Sequence, residues 1–126
     1  MEVIWLDMRH YVQKPFVLGC VYRPLNTDNA WHNTFQNKLE NLYIENKEVR
    51  SVGDFNYNLL YNTNQSWIKT MNSLNYQQLV HVPTRITEVS ETQIDHIYTN
   101  NDDNIIEVAV PQHSISDHYS ICCTRK

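Results

Sequence analysis

The reading of this chain turns on VGDFNYNLL, residues 52–60. It closes a short apolar run and sets one of only two glycines in 126 residues directly before Asp54-Phe55-Asn56. A glycine spent so sparingly marks a backbone constraint, either a tight turn or a close approach. The polar residues on either side of Phe55 need a reason beyond strand formation.

Upstream of this stretch, EVIWLDM alternates apolar and polar positions, and FVLGCVY is a continuous apolar run rich in β-branched and aromatic residues. Both read as strands, paired as a hairpin through a turn near Gln13 to Pro15. Between Ala30 and Asn46 the period changes: Trp31, Phe35, Leu39, Leu42 and Tyr43 fall on one helical face, with Asp28 as the N-cap. VRSVGDF is a further strand ended by Gly53. A second helix follows at about Ser66 to Asn75, carried by Trp67, Met71 and Leu74.

QIDHIYTN, NIIEVAV and HYSICCTR complete the chain as strands, with NNDDN as the turn between the first two. This order of elements predicts an α/β or α+β sheet protein of mixed strand direction. FVLGCVY reads as buried on both faces, which predicts a packing layer on each side of the sheet.

Composition narrows the function. Hydrophobic residues at 41% and eight tyrosines belong to a folded domain, and no apolar run approaches a membrane span of roughly 20 residues. The acidic, alternating N-terminus is unlike a secretory signal, which predicts a protein that is not secreted and works inside the cell, in nucleus or cytoplasm. Cys20, Cys122 and Cys123 are odd in number and lack zinc or disulfide spacing, so buried free thiols are expected. A formal charge of −4 confines any nucleic-acid contact to a local patch, and the basic residues are scattered, as on a solvated surface.

Four short stretches put polar side chains at strand ends: Tyr22-Arg23-Pro24, Gly53-Asp54-Phe55-Asn56, Ile94-Asp95-His96 and Ser116-Asp117-His118. Singly, each is more often a surface turn or a packed strand end than a site of chemistry. Together they hold what phosphodiester hydrolysis uses: carboxylates for a divalent metal and a water, an amide for phosphate, and a histidine oriented by an acid. Hard oxygen donors suit Mg²⁺ better than zinc.

LGCVYRPLN, VGDFNYNLL, VPTRIT, TQIDHIYTN and SISDHYSI, in this order, resemble the endonuclease/exonuclease/phosphatase superfamily, and within it the endonuclease domains of LINE-type, non-long-terminal-repeat retrotransposons. The resemblance runs through nearly the whole chain. It implies an α/β fold with a two-layer β-sandwich flanked by helices, and DNA cleavage with Mg²⁺ or Mn²⁺ by attack of water on phosphorus. By the matching motifs, Asp54 would orient or deprotonate the water and Asn56 would hold a phosphate oxygen. Gly53 would let both point into one cleft while Phe55 faces the core.

The same resemblance makes Asp117 a metal ligand, His118 a contact to the scissile phosphate, Asp95 the residue that orients His118, and Tyr22 a hydrogen-bond donor to the phosphate. Arg23 and Thr84 would lie near the DNA backbone, while His96 and Ser116 support their neighbours. In the family, an Asn and a metal-binding Glu precede the segment matched by Val3 to Tyr22, and neither has a counterpart here. The expectation is that residues 1–126 form part of such a domain, with Met1 inside it and its N-terminal part missing.

Three functions remain open on this reading. One is a DNA endonuclease of retrotransposon origin, completed by a missing N-terminal segment or working beside a fused reverse transcriptase in the parent element. Another is an inactive remnant of that fold. The third is an interaction domain that uses the sheet surface for binding.

Overall fold

The computed structural model describes residues 2–113 and 115–126. Met1, and Ser114 at the head of the SISDHYSI motif, lie outside the described residues. Strand β1 (Glu2–Met8) and strand β2 (Phe16–Tyr22) form the expected antiparallel hairpin, from Glu2 opposite Tyr22 to Met8 opposite Phe16. Helix α1 (Asn29–Ile44) then carries the chain across so that β3 (Val49–Asp54) lies parallel to β2. Asp28 caps α1 by accepting from the Ala30 N–H at 3.0 Å, as its position predicts.

Helix α2 (Gln65–Ser73) leads to β4 (Gln77–Gln78). A small hairpin follows, β5 (Arg85–Ile86) with β6 (Glu91–Thr92), before β7 (Asp95–Thr99) enters the main sheet. Strands β8 (Ile105–Ala109) and β9 (Cys122–Arg125) pair as a separate ribbon. The main sheet has the order β1-β2-β3-β7-β4. Among the described residues the result is a mixed α/β architecture of one multi-strand sheet, two smaller ones and two α-helices.

One sheet face packs on the helices. Val17, Val21, Val49 and Tyr98 meet Trp31, Phe35, Leu39, Leu42, Trp67 and Met71 there. The centre is aromatic: Trp31 and Phe35 stack at 5.2 Å between ring centroids, and Phe55 lies 5.7 Å from both Phe35 and Trp67. Tyr43, expected on the buried face of α1, instead stands exposed, while its neighbour Leu42 in the same turn faces the core.

The opposite face is covered only in part. Ile97 is buried, but Ile4, Leu6 and Met8 on β1 remain exposed, so the expected layer on each side holds for the centre of the sheet and not for its edge. At the far end, Glu48 joins β3 to β9 by accepting hydrogen bonds from Arg50 and Arg125, at 3.2 Å each. Burial raises the Glu48 carboxyl's pKa, but hydrogen bonds from Arg125, Asn104 and Arg50 outweigh it and hold the group below its ordinary value.

The cysteines are free as expected, but not fully buried: Cys122 is exposed and Cys123 half-buried on the ribbon strand β9, and Cys20 is half-buried on the partly covered face of β2. The basic residues depart from the solvated-surface expectation as well. Arg23 and Arg50 are buried, their aliphatic stems and planar heads serving as packing material.

Candidate active site

Strand register builds the site. Tyr22 at the end of β2 lies opposite Asp54 on β3, and Asp54 lies opposite Asp95 on β7. Paired residues project to the same face of a sheet, so three polar side chains from three strands form one row. Gly53 makes this alignment possible. Its φ is +142°, and a Cβ there would fall on the carbonyl oxygen of Val21. Of the two constraints that a scarce glycine could signal, the close approach of two parallel strands is the one found.

Beyond Asp54 the backbone leaves the sheet. Phe55 is fully buried and stacks on His96 at 5.1 Å, and Asn56 adopts the left-handed conformation at φ +51°. Asparagine tolerates that region because its short amide bonds locally. The Asn56 N–H donates to Asp54 Oδ1 at 3.0 Å, and its side-chain amide donates to the Arg23 carbonyl at 2.6 Å. The turn is therefore pinned at both ends.

His118 reaches the row from the chain's last segment. Its Nδ1 lies 3.0 Å from Asp95 Oδ2. The segment is held by a bridge between His118 and Arg85, with the Tyr119 N–H donating to the Thr84 carbonyl at 2.7 Å. Among the described residues, donor atoms of Asp54, Asp95 and His118 all lie within 4.8 Å of one another.

The other sequence-derived candidates surround this cluster. Tyr22 is half exposed at its rim. Thr84 is fully buried, and its hydroxyl oxygen accepts the Asp95 N–H at 3.0 Å, fixing the strand that carries Asp95. Arg23 is also buried: it donates to the Asn56 carbonyl at 3.2 Å and lies 3.8 Å over the Tyr57 ring. In this arrangement both act on the protein frame. Asp117 stands outside the three-residue cluster, its carboxylate 2.7 Å from the Arg85 guanidinium.

Burial raises the Asp54 carboxyl above its ordinary value, and the neighbouring Asp95 charge adds to the effect. The folded state thus binds a proton here more tightly than the unfolded chain. Stability is lost as pH rises from the ordinary aspartate value of 3.8 through the raised one. Asp54→Asn is expected to melt higher than the parent at neutral pH, with the gain vanishing near pH 3 to 4, as thermal unfolding at both pH values would read. A group held at this disadvantage is typical of a functional cluster.

Behind the site lies a polar chain that sequence reasoning only touched by assigning His96 a supporting part. Trp67 Nε1 donates to the Tyr98 hydroxyl at 2.7 Å, which lies 3.0 Å from His96 Nδ1. Nε2 faces the carbonyls of Tyr57 at 2.9 Å and Gln93 at 3.1 Å, which only accept, so Nε2 carries the ring proton and the neutral ring's Nδ1 accepts the proton of the Tyr98 hydroxyl. His96 is thereby a neutral strut between helix α2 and the Asn56 turn.

Burial lowers the His96 pKa from 6.5 to about 4. Between those values the unfolded chain binds more protons, so stability is full above about pH 6.5 and falls as pH drops toward 4. The loss is about 3 kcal/mol at the lower limit. Denaturant titrations at pH 7 and pH 4.5 are expected to show this slope in the parent and a flatter one in His96→Gln.

The donor chemistry of the cluster, two aspartates with one histidine and no thiolate, fits a hard divalent cation. The fold is similar to that of solved endonuclease/exonuclease/phosphatase-type structures. Among solved structures, the chain is similar to the endonuclease domain of TRAS1, a telomere-specific non-LTR retrotransposon, with TM-score 0.82 at 15% identity over 98% of this chain and 63% of that one.

It is also similar to an endonuclease/exonuclease/phosphatase family protein from Leptotrichia buccalis, with TM-score 0.71 at 13% identity over 98% of this chain and 53% of that one. For the catalytic domain of Xenopus laevis APE2 the TM-score is 0.63 at 15% identity, over 98% and 55%. The chain therefore spans between about half and two-thirds of the length of these neighbours. No family model and no curated protein matches the sequence.

Proposed function

We propose that residues 1–126 form part of an endonuclease/exonuclease/phosphatase domain of retrotransposon type, and that its reaction is divalent-metal-dependent hydrolysis of DNA phosphodiester bonds. The observation that carries this reading is the register row Tyr22, Asp54, Asp95, completed by the hydrogen bond between Asp95 and His118. A row of polar groups at the ends of three strands serves no packing purpose.

In this reading Asp54 accepts the proton of the attacking water, a task suited to a carboxyl raised above its usual range. One N–H of the Asn56 amide is spent on the Arg23 carbonyl, leaving the second to donate to a phosphate oxygen. Asp95 holds His118 by Nδ1, so Nε2 is the nitrogen that meets the scissile phosphate. The Tyr22 hydroxyl donates to the phosphate from the rim. Arg23, Thr84 and His96 hold these groups in place. Asp117 would hold Mg²⁺ or Mn²⁺, which when bound neutralises charge on the phosphoryl oxygens.

DNA is the partner this chemistry implies, and a fused reverse transcriptase or an additional N-terminal segment would be further ones, within nucleus or cytoplasm. Among the described residues no helix is long and apolar enough to cross a membrane. The exposed apolar row Ile4, Leu6 and Met8 favours a second reading, a binding domain without catalysis.

Nicking of supercoiled plasmid in Mg²⁺ or Mn²⁺ separates the two. Activity that disappears in Asp54→Ala supports the hydrolase. A folded parent chain that never nicks supports the binding domain.

A further inference from the structure

Arg85 stands beside the donors the proposed site would use. Its Nη2 is 2.7 Å from Asp117 Oδ2, and both side chains are more than a third exposed. Its backbone is bridged to His118, and the next residue's N–H, that of Ile86, donates to the Asp117 carbonyl at 3.0 Å. The guanidinium is thus tethered to the same segment that delivers His118. Its charge also reaches Asp54, whose carboxyl it favours in the ionised form.

We propose that Arg85 is a built-in competitor for the divalent metal: it occupies Asp117 when no metal is bound and must release it before the site loads. The proposal rests on the hydrolase reading for the assignment of Asp117 as a metal ligand. Guanidinium stays charged at every pH at which the protein folds, so deprotonation of Arg85 cannot relieve the competition. An ion pair this exposed is weakly held, which makes it displaceable by metal at the cost of a several-fold loss in apparent affinity. Once released, the planar fork is free to pair with a phosphate oxygen.

Equilibrium binding of Mn²⁺ to the full chain, measured by calorimetry without DNA, tests the competition directly. Arg85→Gln is expected to bind Mn²⁺ roughly two- to fivefold more tightly than the parent. Arg85→Lys, which keeps a cation, should stay near the parent. In an Asp117→Asn background the gain should vanish, because it acts through that carboxylate.

Should Arg85→Gln melt below the assay temperature, Arg85→Met, which keeps the aliphatic stem, carries the same expectation. Unchanged or weaker binding in the folded variant, or a gain that survives in Asp117→Asn, would overturn the proposal, as would a failure of parent and variant alike to bind Mn²⁺. The expected gain in a chain that never nicks DNA would instead leave the competition standing and remove the hydrolase reading.

Discussion

Alanine at His118 is expected to lower the rate of metal-dependent plasmid nicking by roughly 10²- to 10⁴-fold, the range for losing a positioned acid–base or charge-stabilising group. The side chain is about one-third exposed and its backbone bridge to Arg85 does not depend on the imidazole. Folding should therefore be little affected. Asp95→Ala should cost nearly as much, and the double variant little more than either, because the two residues act as one unit through the 3.0 Å contact between Nδ1 and Oδ2. Initial nicking rates beside melting temperatures decide it. Additive losses would mean that Asp95 and His118 work separately.

The largest stability effect is expected at Gly53. Alanine there faces two penalties together: a left-handed φ of +142° and a Cβ placed on the Val21 carbonyl, 2.9 Å from its carbon. The obstacle is backbone, which cannot rotate away. Relief requires parting β2 from β3, which breaks the register that sets Tyr22 against Asp54.

A loss of more than about 4 kcal/mol is expected, enough to unfold much of a domain whose total stability is about 5 to 15 kcal/mol. Gly19→Ala is the contrast, because its Cβ meets the Trp5 ring, a side chain able to shift, and the expected cost is about 1 to 3 kcal/mol. Denaturant unfolding of both variants reads the difference. Equal losses would remove the special place given to the β2–β3 approach.

Much of this was legible in the chain because local patterns encode it. The β1–β2 hairpin follows from alternation next to an apolar run, and α1 follows from its apolar period and the Asp28 cap, with ends shifted by one or two residues. The scarcity of glycine pointed to Gly53, and the position of Phe55 between two polar residues matched its burial. What stayed hidden depends on contacts distant in sequence. The two-residue strands β4, β5 and β6 are too short to carry a period.

The row from Tyr22 to Asp95 is a matter of register, which no single strand reveals. Arg23 and Thr84 carry polar side chains that ordinarily mark a surface, yet both are buried where neighbouring backbone groups satisfy them. The ion pair of Arg85 with Asp117 joins residues 32 positions apart and becomes visible only once the two segments lie side by side.

Site-resolved line broadening by Mn²⁺ tests the central claim, that three strand ends and the last segment build one metal-competent site. Backbone amide signals of the ¹⁵N-labelled chain would be followed through substoichiometric addition of Mn²⁺. Broadening confined to Asp54, Asn56, Asp95, Asp117, His118 and their neighbours is the expected result. Broadening centred instead on the exposed acids Asp102 and Asp103, with the strand ends sharp, would contradict it.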